Sequence, residues 1–244
     1  MAELQQSSAM PFKAIFFDAA GTLMRTARPV GESYALFAGR HGMNVPPEEI
    51  AGRFRACFSS APPLAFPNAE AEDIRALERD WWKELVRRVF EPYGEFARFD
   101  DYFSGLFAYF SQADSWRLYP ETLETLAALR ERGFTLAVIS NFDSRLFNIL
   151  NGLGVAASFD SIVISSQTGY AKPSREIFHK ALALHQLRPD ETVHVGDSSD
   201  KDAAGATDAG LLGILLDRRG KAASNHFRTV RNLTEIVALI EQMS

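Results

Sequence analysis

Five short apolar runs, each stopped abruptly by small or polar residues, constrain the fold of this chain more than any other feature. Ala14-Ile15-Phe16-Phe17 stops at Asp18, residues 136–139 at Ser140-Asn141, 162–164 at Ser165-Ser166, 192–195 at Gly196-Asp197 and 214–216 at Asp217. Runs this short, without a regular polar face, predict strands buried on both sides. Helical segments separate them. Residues 121–132 place Leu123, Leu126 and Ala127 at helical spacing and stop at Gly133, a good C-cap; 175–184 and 203–209 read as further helices. This alternation predicts an α/β fold, a doubly wound parallel sheet with right-handed crossovers. Ligands of such sheets bind beyond the carboxyl ends of the strands, so the residues that stop the runs are expected to converge on one site.

From about residue 25 to residue 115 this rhythm is absent. Segments 32–40, 48–59, 71–90 and 99–110 read as helices, and in the third Ile74, Leu77, Trp81, Leu85 and Val89 form one apolar stripe. Prolines and glycines punctuate the joins: Pro46-Pro47, Pro62-Pro63, Pro67, Pro92 and Gly94. The expectation is an all-helical lobe, 25–115, inserted into a core made of 1–24 and 116–244. Loop 61–68 is either part of a substrate entrance or a plain inter-helix connection.

The 244 residues suffice for a core plus such a lobe, and 46% hydrophobic with 23% charged is an ordinary globular balance. Acidic residues (31) outnumber Lys and Arg (26), which argues against a general basic face for nucleic acid. Cys57 is the single cysteine and cannot form an internal disulfide; residues 1–10 are polar and read as a loose tail without a secretory h-region. No apolar run approaches the ~20 residues of a membrane span. A cytoplasmic protein with no nucleic-acid or membrane partner is expected.

Two strand-end loops carry the strongest chemical signal. In Phe17-Asp18-Ala19-Ala20-Gly21-Thr22-Leu23, a carboxylate precedes a tight Gly-Thr turn. Aspartate can attack an anionic electrophile when a metal screens the repulsion. Gly21 permits close backbone approach, and the Thr22 hydroxyl can orient the turn. In Gly196-Asp197-Ser198-Ser199-Asp200-Lys201-Asp202, three carboxylates share one loop. Mg²⁺ uses one or two carboxylates and keeps several waters. Asp197 is the best candidate ligand, Asp202 would hold the loop and a metal-bound water, and Asp200 reads as a helix cap. Ser140-Asn141, between a buried strand and a helix, is a candidate phosphate cradle. Lys172, held extended by Pro173, would balance the carboxylates and the substrate charge.

These four stations resemble, in order and spacing, the motifs of the haloacid dehalogenase (HAD)-like hydrolase superfamily. Its first motif, usually D-x-D-x-T, is matched by Asp18 to Thr22. Its second, a Ser/Thr, is matched by Ser140, its third by Lys172, and its fourth, G-D-x-x-x-x-D, by Gly196, Asp197 and Asp202. The resemblance implies a Rossmann-like core with a helical first-position cap. It implies Asp18 and Lys172 as catalytic residues, and Thr22, Ser140, Asn141 and Lys172 as substrate- or phosphate-binding. It implies Mg²⁺ held by Asp18, the Ala20 backbone carbonyl, Asp197 and, through water, Asp202. Residues 28–34, 66–68 and 81–83 further resemble the subgroup called haloacid dehalogenase-like hydrolase domain-containing protein 3.

One position departs from the pattern. The family's phosphatases carry a second Asp two residues after the nucleophile, where this chain has Ala20. Losing a general acid–base group typically costs ~10²–10⁴-fold. The resemblance implies first a Mg²⁺-dependent hydrolase of a small phosphorylated metabolite, acting through an aspartyl-phosphate. A 2-haloacid dehalogenase also resembles D-A-x-G-T with Ser-Asn; its halide leaves unprotonated and no metal is needed. A phosphonatase-type C–P hydrolase requires a cap lysine, and residues 25–115 offer only Lys83, expected to be solvated. The fourth reading is a non-catalytic binding or regulatory protein on this fold.

Overall fold

The computed structural model describes residues 12–94, 96–220 and 226–243; the expected tail at 1–10 lies outside them. From β1 (Ala14–Phe17) a tight turn leads to β2 (Met24–Thr26), then to α1 (Val30–Arg40), α2 (Pro47–Ser59), α3 (Ile74–Phe90) and α4 (Phe99–Tyr109). The chain returns at β3 (Trp116–Leu118) and continues through α5 (Thr122–Glu131), β4 (Thr135–Ser140), α6 (Arg145–Gly152) and β5 (Ser161–Ile164). There follow α7 (Ser165–Thr168), α8 (Arg175–Leu184), β6 (Thr192–Gly196), a π-helical stretch Ser199–Ala204 and α9 (Gly205–Asp208). The last elements are β7 (Leu212–Leu216), β8 (Arg228–Val230) and α10 (Thr234–Glu241).

Six strands form one parallel sheet in the order β5-β4-β1-β6-β7-β8. All five expected strands are in it. The sixth, β8, escapes a sequence reading because it is a three-residue edge strand with two exposed residues. Ile15, Phe17, Leu136, Val138, Val193 and Val195 pack on one side of the sheet against residues such as Leu129, Ile149 and Ile236. Ala14, Phe16, Ala137 and Ile139 pack on the other against Ile177, Phe178 and Ala181. Both faces are covered, which is why the runs lack a polar face; each large side chain so buried contributes roughly 1.5–3 kcal/mol.

Helices α1 to α4 form the inserted region around their own apolar cluster, including Tyr34, Ile50, Leu85, Val89, Phe90, Tyr102, Phe103 and Leu106. The neck between the two parts is an antiparallel ribbon of β2 and β3, pairing Met24 with Leu118 and Thr26 with Trp116. No strand was expected between residues 25 and 115 or at 116–118, and a three-residue ribbon is too short to show an alternating pattern.

The apolar stripe of α3 needs correction. Ile74, Leu85 and Val89 are buried, but Leu77 is exposed and Trp81 half-buried, while Glu78 is buried. The N-terminal half of α3 faces two surfaces: Arg79 and Trp81 meet the other inserted helices, at Ser104 and Phe58, while Glu78 rests on polar helix starts of the core. There Glu78 Oε1 accepts from the Ser144 amide (2.9 Å), the Ser144 hydroxyl (2.8 Å) and the Ser166 hydroxyl (2.6 Å). Loop 61–68 is seated at the same seam: the Ser165 hydroxyl donates to Leu64 O at 2.6 Å, and Trp81 Nε1 donates to Pro62 O at 3.1 Å. Among the described residues no helix is long and apolar enough to cross a membrane.

Candidate active site

Strand β1 lies between β4 and β6, with Phe17 level with both Val138 and Val195. Residues just beyond these strands therefore emerge at one edge, and the Asp18 amide donates to Val195 O at 2.9 Å. Asp18 Oδ1 accepts from the Ser140 hydroxyl (3.1 Å) and from Lys172 Nζ (2.8 Å). Lys172 spends its other two donors on Ile139 O (2.7 Å) and Asp202 Oδ1 (2.5 Å). Asp202 Oδ1 also meets His194 Nε2 at 3.0 Å, and its Oδ2 accepts from the Ser198 amide at 3.0 Å. Asp18, Asp202, Lys172 and His194 are all buried.

The ionisations follow from this packing. Burial raises the Asp18 carboxyl, and the charge of Asp202 adds to the rise while Lys172 opposes it. Burial would also raise Asp202, but Lys172 and His194 outweigh it and hold that carboxyl well below the usual range. For Lys172 the two aspartates outweigh burial and push the ammonium above its ordinary value. Burial lowers His194, which leaves a neutral ring with Nε2–H directed at Asp202. Asp197 stands exposed at the mouth. The protein mass behind it, then the charges of Asp18 and Asp202, raise its carboxyl to about 7.

This donor set suits a hard divalent cation. Asp18, Asp197 and Asp202 each bring a carboxylate oxygen within 4.8 Å of the others, and one lysine cannot balance all three. Two glycines make the cluster possible. Gly21 has φ +99°, and a Cβ there would lie 2.3 Å from Asp197 Oδ2; a Cβ on Gly196 would lie 2.1 Å from Asp202 Cγ.

Several expected residues are placed differently from their sequence reading. The Thr22 hydroxyl is fully buried and has no hydrogen-bond partner among the described residues. The turn it was expected to orient is held by backbone bonds instead, from Leu23 N and Met24 N to Ala19 O and from Gly21 N to Met24 O. Asn141, expected at a phosphate, engages the backbone of Lys172 with both ends of its amide, at 2.9 and 2.7 Å. The helix cap assigned to Asp200 is Ser198, whose hydroxyl accepts from Lys201 N at 3.1 Å; Asp200 is exposed one position inside the π-helical turn. Lys83 is not simply solvated: it pairs with Asp100 at 2.9 Å.

The sequence reading missed three features. His194 interrupts an otherwise apolar strand end, and that interruption was the available signal. Arg218, just past β7, donates to Thr22 O (2.7 Å) and Gly21 O (3.3 Å) while paired to Glu121 at 2.5 Å and lying 3.5 Å from the Tyr119 ring centre. Nothing local marks that long-range pairing. The third is a buried knot at the start of α6: Asp143 accepts from Arg145 Nε (2.8 Å), Arg145 Nη2 (2.6 Å) and Trp82 Nε1 of α3 (2.6 Å).

Comparison with known proteins agrees with this geometry. A sequence model of the haloacid dehalogenase-like hydrolases matches residues 12–210. The chain is 33% identical over 209 residues to haloacid dehalogenase-like hydrolase domain-containing protein 3 of Bos taurus, spanning 85% of this chain and 82% of that protein. A solved HAD phosphatase from Thermococcus onnurineus matches with a TM-score of 0.66 at 22% identity, over 94% of this chain and 98% of that one. An L-2-haloacid dehalogenase from Xanthobacter autotrophicus matches with a TM-score of 0.72 at 16% identity, over 96% and 100%. These two share the fold and differ in chemistry, so the fold alone does not choose between them. The ordered strand-end motifs, the parallel sheet with its helical insert and the extent of these matches together mean that the chain belongs to the haloacid dehalogenase-like hydrolases.

Proposed function

We propose that this protein is a Mg²⁺-dependent phosphohydrolase of a small phosphorylated metabolite, working through an aspartyl-phosphate on Asp18. The observation that carries the reading is the crowding of three carboxylates around one lysine, which calls for a divalent cation. Asp18, the Ala20 carbonyl and Asp197 would hold Mg²⁺, with Asp202 acting through water. When bound, the ion screens carboxylate from phosphate and polarises the phosphoryl group.

The chain's own residues supply the rest. Ser140 and Lys172 both engage Asp18 Oδ1, leaving Oδ2 without a hydrogen bond among the described residues and available to attack phosphorus. The new O–P bond forms as the bond to the leaving oxygen breaks, and the electron pair departs with that oxygen. Water then attacks phosphorus, releasing phosphate and restoring the carboxylate. Asn141 acts by fixing Lys172, and Lys172 by holding Asp18 and neutralising charge. Residue 20 has no acid to lend, so leaving groups that depart without a proton are favoured. Residues 25–115 serve as the cap over the core, excluding water during the reaction. The lone, buried thiol of Cys57 suits a reducing compartment such as the cytoplasm.

The second reading is a 2-haloacid dehalogenase, favoured by Asp18-Ala19-Ala20-Gly21-Thr22 with Ser140-Asn141. The carboxylate cluster weighs against it, because that chemistry needs no metal. The Lys83–Asp100 pair weighs against phosphonatase chemistry, which needs a free cap amine. Phosphate esters, phosphonates and 2-haloacids, each assayed with Mg²⁺ and with EDTA, test the proposal. Phosphate release that EDTA abolishes is expected. EDTA-insensitive halide release would instead establish the dehalogenase, and no turnover of any class would leave a binding protein.

A further inference from the structure

Between the loop beyond β4 and the inserted helices lies a cavity of about 100 Å³, walled largely by Tyr34, Phe54, Trp82, Phe103, Phe107 and Phe142. Its position ties it to the site at two points. Phe142 follows Ser140 by two residues and packs on Trp116 of the neck, 5.7 Å between ring centres. Phe54 stacks on Phe58 at 5.5 Å, and Lys201 of the carboxylate loop lies 5.9 Å from the Phe58 ring centre. The cavity therefore reaches from Phe142, just beyond β4, into the inserted helices.

Two polar groups border this apolar space. Tyr34 is only 3% exposed, and its hydroxyl has no hydrogen bond among the described residues. Burial raises that hydroxyl's pKa and the charge of Arg145 opposes the rise, so the two groups lie within electrostatic reach. The Arg145 guanidinium carbon lies 4.1 Å from the Phe107 ring centre and 5.0 Å from that of Trp82. Its Nε and Nη2 are committed to Asp143; Nη1 has no partner among the described residues. Because Asp143 already neutralises Arg145, this corner suits an uncharged oxygen better than a second carboxylate.

We infer that the cavity receives the substrate's leaving group, and that this group is a compact aromatic alcohol carrying an uncharged carbonyl or hydroxyl oxygen toward Tyr34 and Arg145. The inference rests on the phosphohydrolase reading and narrows it. An apolar cavity of about 150 Å³ takes up benzene, so roughly two thirds of that volume suits a ring whose phosphate-bearing edge stays outside. Aromatic walls favour ring over chain through edge and face contacts. The sequence points independently to the same class. A phenol-type oxygen leaves as a stabilised anion, so it tolerates Ala20 where an alkoxide does not.

Calorimetric titration of the full chain in Mg²⁺ with phenylphosphonate and methylphosphonate tests this without turnover. The wild type is expected to bind phenylphosphonate about tenfold more tightly, from ring contacts worth about that factor. Val86→Trp, which fills the cavity from α3, should erase the preference while methylphosphonate still binds. Tyr34→Phe keeps the packing and should weaken 4-carbamoylphenylphosphonate about fivefold, one net hydrogen bond, without affecting phenylphosphonate. Equal binding of the two simple phosphonates overturns the inference, as does an aryl preference that survives in folded Val86→Trp. If Val86→Trp does not fold, Tyr34→Phe decides, and an unchanged affinity for the carbamoyl probe counts against the assignment. Binding of neither phosphonate would instead sink the phosphoryl site itself.

Discussion

The buried charges of the strand-end site and the buried tyrosine hydroxyl of the cap interior are treated in opposite ways. At the site Lys172 uses all three donors, and Asp202 uses both oxygens, on partners from β1, β4, β6 and the loops beyond them. In the cap the hydroxyl of Tyr102 is buried without a partner among the described residues, within a packed aromatic cluster. A saturated network has one low-energy arrangement, because losing any member strands a buried charge. Aromatic packing is non-directional and tolerates substitution at similar volume. The difference teaches where the chain is committed and where it can vary: the charged network at the strand ends resists substitution, and the aromatic interior of the inserted helices tolerates it.

The contrast is tested most severely at Asp18. Asp18→Asn keeps the shape and leaves Lys172 its pair with Asp202, so the circular dichroism spectrum should be preserved, yet turnover should fall on the order of 10³-fold or more, as removal of a catalytic nucleophile does. A folded variant with most of its activity would mean that the network does not exist to present a nucleophile.

The seam between the regions comes next. Glu78 is a cap residue treated in the core's manner, saturated by Ser144 and Ser166. Glu78→Ala strands buried donors and should lower the unfolding free energy by about 1–3 kcal/mol in denaturant titration. It should also raise KM more than it lowers kcat, because it loosens the cap's seat rather than the nucleophile. A change confined to kcat would place Glu78 in the chemistry instead.

The cap interior makes a prediction of opposite sign. The Tyr102 hydroxyl is buried with no partner among the described residues, and burial pushes its ionisation far above the ordinary tyrosine value. Tyr102→Phe removes an unsatisfied group and keeps the ring, so stability should rise by about 1 kcal/mol. Destabilisation of that size would reveal a partner for the hydroxyl and erase the contrast.

What the sequence disclosed follows the same division. Asp18, Ser140 and Asp197 could be read because each sits just where a strand stops, and backbone geometry then brings strand ends together; Lys172 and Asp202 lie further from the strand ends and were read from Pro173 and from the run of carboxylates after β6. Gly21 was legible as a point of close approach, but that the carboxylates of Asp197 and Asp202 are what pack where a Cβ would be on Gly21 and Gly196 was not. The roles of Thr22 and Asn141 were not, since a side chain's partner depends on which loop crosses above it. Glu78, the Asp143–Arg145–Trp82 knot and the aromatic cavity join positions 60 or more residues apart with no local signature. Helical periodicity placed α3 correctly but misjudged Leu77, because one helix there faces two different surfaces.

The smallest expected effect belongs to the clamp that ties the nucleophile turn to the far side of the sheet. Arg218 holds the carbonyls of Gly21 and Thr22 and is itself held by Glu121, both side chains less than one-fifth exposed. Burial would raise the Glu121 carboxyl, but the hydrogen bond and charge of Arg218 outweigh it and hold it below its ordinary value. A carboxyl with a depressed folded pKa stabilises the fold fully above its unfolded pKa and loses that contribution as pH falls through the folded pKa. Glu121→Gln has no such proton to take up. Wild type should therefore exceed the variant at pH 7 by less than about 1 kcal/mol, as befits a partly solvated pair, and the margin should shrink on acidification below about pH 4. Urea titrations of both proteins at the two pH values measure it. A margin that stays constant with pH would assign the loss to packing rather than charge. A margin that grows in acid would mean that Arg218 does not hold Glu121 ionised, and the turn would then owe its geometry to its own backbone bonds alone.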